Sequence, residues 1–115
     1  MFPRSNKEIL QRTFMRKTKV IFDNEKLQMS CELMRALAHP LRLKILEFID
    51  QNETINVNKI YNSLKLEQSI TSQHLRILRL AGVVNAEREG KYIHYTINYE
   101  IVDRAKRAVN RFLGK

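Results

Sequence analysis

Residues 68–84 read Gln68-Ser69-Ile70-Thr71-Ser72-Gln73-His74-Leu75-Arg76-Ile77-Leu78-Arg79-Leu80-Ala81-Gly82-Val83-Val84. Wound at helical pitch, this stretch separates its side chains into two arcs. Ile70, Thr71, His74, Leu75, Ile77 and Leu78 share one broad face; Ser69, Ser72, Gln73, Arg76 and Arg79 share the other. The helix is expected to run to about Ala81, with Gly82 as the left-handed residue that stops it. Ser69, Ser72, Gln73 and Arg76 fall at i, i+3, i+4 and i+7, a strip of side chains short enough to enter a major groove. Gln offers two hydrogen bonds to adenine and Arg two to guanine, while serines reach phosphates or base edges. Any amphipathic surface helix shows this periodicity, so the flanking segments must decide.

Downstream, Val83 to Arg88 and Lys91 to Ile97 are two β-rich runs around Glu89-Gly90, which predicts a hairpin. The second run alternates, with Ile93, Tyr95 and Ile97 on one face and Tyr92, His94 and Thr96 on the other. Upstream, a short helix is expected around Val57–Leu64. Before it, Pro40 opens a helix at the position where its missing N–H costs nothing. Leu41, Ile45, Phe48 and Ile49, widened by Leu43 and Leu46, make that helix central to the core. Asp23 and Asn24 can cap an earlier helix carrying Leu27, Met29, Leu33, Met34, Ala36 and Leu37. A final helix over about Tyr99–Leu113 aligns Ile101, Ala105, Ala108, Val109 and Phe112. Residues 5–22 lack a helix breaker and show a loose stripe at Leu10, Thr13, Phe14, Lys17 and Ile21, so a helix is expected there too. The order helix, short helix, tight turn, polar-faced helix, hairpin is that of a winged helix-turn-helix. The predicted fold class is α+β, mostly α, with a two-stranded β-hairpin wing and additional N- and C-terminal helices.

The 115 residues suit one domain, and 43% apolar content with three glycines excludes a low-complexity polymer. A single cysteine excludes an intrachain disulfide framework and a classical zinc finger. No apolar run approaches the ~20 residues of a membrane helix. The first residues lack the apolar core of a signal peptide, so a cytoplasmic protein is expected. The net charge of +9 favours a polyanionic partner. Residues 1–22 hold six basic residues against Glu8, and residues 103–115 hold five against Asp103, so the ends carry the whole excess. Residues 23–102 are neutral overall, so reading of DNA by the middle must rest on side-chain geometry. The expected division is a basic helical extension over 1–22 and a DNA-binding and dimerisation domain over 23–115.

Three segments carry a family resemblance. Leu37-Ala38-His39-Pro40-Leu41-Arg42-Leu43-Lys44-Ile45-Leu46 is similar to the "LAxPxRLxIL" opening of the ArsR family of bacterial winged-helix repressors. Gln68 to Val84 resembles that family's "SQSxVSQHLxxLxxAGLV" recognition helix, and Arg88 to Tyr95 its "REGRxxxY" wing. The resemblance covers roughly residues 28–113. It implies a homodimer, usually built from the first and last helices, that binds a palindromic DNA operator as a repressor. The DNA-binding residues expected are Gln68 at the helix mouth, Ser69, Ser72, Gln73 and Arg76 on the strip, and Arg88 and Lys91 on the wing.

The departures are equally informative. Where many members carry thiolates in a segment like "ELCVCDL", this chain has Thr54-Ile55-Asn56-Val57-Asn58-Lys59-Ile60, and two amides and a cation cannot make a soft thiolate site. The last helix offers Glu100 and Asp103 but no His for the family's other metal site. No cofactor or metal is expected, and no motif names an inducer. Cys31 is expected to be a small packed side chain, against the sharper idea of a thiol sensor across a dimer. His39 is expected to mark a helix boundary, His74 to pack half-buried or contact phosphate, and His94 to be solvated or to face phosphate. No nucleophile set, phosphate-cradling loop or ligand cluster supports an enzyme. Two alternatives stay open: a winged-helix module that docks a protein partner, and a metal- or redox-responsive repressor with a non-standard site.

Overall fold

A computed structural model describes residues 19–115. The helix expected over 5–22 lies outside the described residues except for its last four, and these are not helical. The described elements run α1 (Asn24–Leu37), α2 (Pro40–Asn52), β1 (Ile55–Asn56), α3 (Val57–Leu64), α4 (Gln68–Leu80), β2 (Val84–Glu89), β3 (Tyr92–Ile97) and α5 (Tyr99–Leu113).

Each helix starts where a side chain can satisfy an orphan backbone N–H. Asp23 accepts from the Lys26 N–H at the head of α1 (3.1 Å), and Asn56 accepts from Lys59 at the head of α3 (2.9 Å). Asn98 does the same for α5. His39 is the boundary residue expected: its Nδ1 accepts from the Leu41 N–H at 3.2 Å, ahead of Pro40. The Asn56 side chain is thereby engaged in capping.

The core gathers Ile45, Leu46 and Ile49 of α2, Ile55 of β1, Ile60 of α3, Leu75 and Leu78 of α4, and Val83 and Val84 beyond it. Tyr95, Ile97, Ile101 and Val102 pack against this cluster from the wing and α5. Leu43, expected to widen the core face of α2, instead stands exposed on its flank.

The hairpin gains a strand that sequence alone did not announce. The sheet order is β1-β3-β2, with Ile55 opposite Tyr95 and Asn56 opposite His94. All pairings are antiparallel. A two-residue loop, Gly90-Lys91, joins β2 to β3, and Gly90 takes the left-handed φ (+65°) such a tight loop requires. This sheet pins the root of the wing to the α2–α3 junction.

Cys31 is a correction: it is exposed on α1, not packed. The first two turns of α1 project beyond the core, and Ala36 is that helix's buried residue. Among the described residues no helix is long and apolar enough to cross a membrane.

Candidate nucleic-acid interface

The site begins with the burial of one side of α4. Thr71, Leu75 and Leu78 are fully buried, spaced four and three residues apart on one stripe. Thr71 carries the one buried hydroxyl there, and its Oγ1 donates to the Glu67 carbonyl at 2.9 Å. That stripe fixes the roll of the helix about its own axis. The opposite side is thereby committed to solvent, and Ser69, Ser72, Gln73 and Arg76 are all exposed on it. From Ser69 to Arg76 the strip runs roughly 10 Å along the axis, at 1.5 Å per residue. Gln68 opens the helix, behind Glu67, whose side chain makes no capping bond. The covered face is narrower than expected, since Ile70 and Ile77 lie on its margins, each about two-fifths exposed (40% and 39%).

The turn before α4 is tight for a stated reason. Lys65 adopts the left-handed conformation at the end of α3, and the Leu66 N–H donates back to the Tyr61 carbonyl at 2.9 Å. Leu66 then packs on the core, so α3 and α4 are held as a helix-turn-helix pair.

On the wing, Arg88 and Lys91 are exposed, Arg88 on β2 opposite Ile93 and Lys91 in the loop itself. The Lys91 ammonium lies 5.6 Å from the centroid of the Tyr92 ring, a cation–π distance. His94 is half-buried, and its Nε2 lies 3.4 Å from a Glu89 carboxylate oxygen. The strip and the two wing cations thus sit on separate elements joined by the short connection through Gly82 and Val83.

Two contributors were not anticipated. Arg79 belongs to the polar arc of α4, yet it acts on Tyr95 of the wing. Burial raises the Tyr95 phenol above its ordinary range, and the Arg79 charge opposes that shift. Arg42, read in sequence only as part of the α2 opening motif, reaches His74 of α4. Its signal was a cation placed among Leu41, Leu43 and Ile45.

A second, apolar surface lies at the end of α5. Val109, Phe112 and Leu113 at the end of α5 are exposed, Phe112 by 90%. Nearby, a largely apolar groove of about 760 Å³ runs between α1, α2 and α5, lined among others by Met34, Leu37, Leu43, Val102 and Val109. Among the described residues no group of three His, Cys, Asp or Glu side chains could hold a metal ion.

Residues 39–86 match the model of the family described as bacterial regulatory protein, arsR family. An uncharacterized HTH-type transcriptional regulator of Methanocaldococcus jannaschii, MJ1325, is 38% identical over 85 residues, covering 74% of this chain and 92% of that protein. The transcriptional repressor PagR of Bacillus anthracis is 38% identical over 84 residues, covering 73% and 84%. Its crystal structure superposes with a TM-score of 0.61 at 36% identity, over 75% of this chain and 99% of that one. The transcriptional activator HlyU of Vibrio cholerae is 39% identical over 66 residues, covering 57% and 60%.

Proposed function

The chain belongs to the arsR family of bacterial regulatory proteins, DNA-binding transcriptional regulators and not enzymes, and from that premise we propose that it is a homodimeric repressor of a palindromic operator. One observation carries the reading: an exposed strip of Ser69, Ser72, Gln73 and Arg76 stands directly behind the buried stripe of Thr71, Leu75 and Leu78. A helix so anchored can enter a groove without rolling.

In this reading Gln73 and Arg76 read base edges, Gln68, Ser69 and Ser72 reach phosphates or edges, and Arg88 and Lys91 grip the backbone beside them. The dimer is built across α1 and α5. What supports it is the uncovered apolar end of α5 next to the groove between α1 and α2. The basic segment 1–22 adds phosphate contacts or extends the dimer. Removing residues 1–20 is expected to lower the salt dependence of DNA binding or the dimer affinity; if neither changes, that segment has no such role.

Selection of bound duplexes from a random pool tests function, symmetry and spacing together. The expected product is an inverted repeat with half-site centres about one helical turn, ~34 Å, or a multiple of it apart. Absence of any enriched sequence would defeat the operator reading.

A further inference from the structure

The Arg42 guanidinium sits where α1, α2 and α4 meet. Its Nε donates to the Ala36 carbonyl (2.8 Å) and its Nη2 to the Arg35 carbonyl (3.1 Å), both in the last turn of α1. Those carbonyls have no partner within their own helix, so a cation there is doubly favourable. The third arm, Nη1, lies 3.3 Å from Nδ1 of His74, the residue next to Gln73. The His39 ring meets the His74 ring at 4.9 Å between centroids, tilted by 56°.

A guanidinium has only donors, so this third bond exists only while His74 Nδ1 is an unprotonated acceptor. We propose that Arg42 and His74 are positioning residues for DNA reading, tying the recognition helix to the end of α1, and that a proton on His74 breaks the tie and weakens operator binding. The proposal rests on α4 being the DNA-reading helix.

The surroundings favour the neutral imidazole, so the tie holds at neutral pH and yields only in acid. On α4 itself the neighbours of His74 one turn away, Ile70, Thr71, Ile77 and Leu78, carry no charge. From α1 come two backbone carbonyls through Arg42, from the α1–α2 junction the His39 ring, and from α2 the Arg42 cation. Among the described residues, the charges that lower the His74 pKa are those of His39 and Arg42. Burial, then His39, then Arg42, lowers the His74 pKa below its ordinary 6.5. On protonation the Nη1 bond is replaced by repulsion, while the two bonds to α1 remain. The release is therefore confined to α4.

The test uses the whole protein and the duplex recovered by selection, with a random duplex as control. His74→Asn retains an acceptor near the Nδ1 position and cannot titrate; His74→Gln serves as a second variant. From about pH 8 to about pH 5, the parent's operator affinity is expected to fall at least about threefold more than that of either variant. Arg42→Gln is expected to bind at about pH 8 as the parent does in acid. Parallel pH profiles for the parent and a folded His74 variant would overturn the proposal. So would full operator affinity in Arg42→Gln, or loss of binding by both His74 variants at the higher pH. Failure of the parent to select any duplex would strike the DNA-reading premise instead.

Discussion

The Tyr99 hydroxyl donates a hydrogen bond to the Asp50 carboxylate, joining the first turn of α5 to the last turns of α2 across 49 positions of chain. With the Asn98 cap, it helps tie the start of α5 to the body of the protein. Tyr99→Phe is expected to preserve the fold while loosening the first turn of α5, seen as faster amide exchange there than in α4. The bond to Asp50, then burial, then the Asp50 and Glu53 charges raise the Tyr99 pKa above its ordinary 10.0. A raised pKa means that the folded chain holds the proton more tightly. The resulting stabilisation is complete below the ordinary phenol value and disappears as pH rises through the folded one. Alkaline unfolding of Tyr99→Phe should therefore depend less steeply on pH than that of the parent, and identical slopes would contradict the linkage.

Thr71 tests how firmly α4 is anchored. Its side chain is fully buried, and its hydroxyl and its backbone N–H both donate to the Glu67 carbonyl, at 2.9 and 3.0 Å. Thr71→Val keeps the shape and leaves that carbonyl one partner, so the expected cost is about 1 kcal/mol in denaturant unfolding. Leu75→Ala, which opens a cavity on the same stripe, should cost about 2–5 kcal/mol. A larger loss from the valine than from the alanine would mean that the hydroxyl, not the aliphatic stripe, anchors the helix.

The strip on α4 was legible because its period is intrinsic: once Leu75 and Leu78 are inside, Ser72, Gln73 and Arg76 must be outside. Elements defined by a partner were not. β1 is two residues long and is a strand only because Ile55 and Asn56 lie against Tyr95 and His94 of β3. Cys31 looked like core from its neighbours, yet α1 extends past the body that could cover it. Arg42 falls in a motif read as a helix opening, and its bonds run to carbonyls that exist as free acceptors only because α1 ends there. Ile70 and Ile77 show the limit of periodicity itself, which gives the direction of a face but not its width.

If Gln73 and Arg76 read bases, alanine at either position should lower discrimination between operator and random duplex by about 1–3 kcal/mol. Lys91→Ala, at the exposed wing loop, should weaken both duplexes alike and reduce the salt slope by about one ion. Binding titrations on the two duplexes over a salt series separate the classes. An equal loss on both duplexes for Arg76→Ala would assign that residue to the phosphate backbone.

The end of α5 supplies the sharpest test of assembly. Phe112 is 90% exposed in the single chain, and Val109 one turn earlier is 43% exposed beside the groove. Burying a phenylalanine is worth about 1.5–3 kcal/mol, and a twofold seam would bury one from each copy. Phe112→Glu should therefore raise the dimer dissociation constant at least about tenfold by sedimentation equilibrium. The parent's unfolding temperature should rise with protein concentration, because a dimer is favoured by mass action, and that dependence should weaken in the variant. Operator affinity should fall with it, since two half-sites would no longer be engaged together. A variant that still sediments as the parent does, with an unchanged concentration dependence, would place the seam somewhere other than α5.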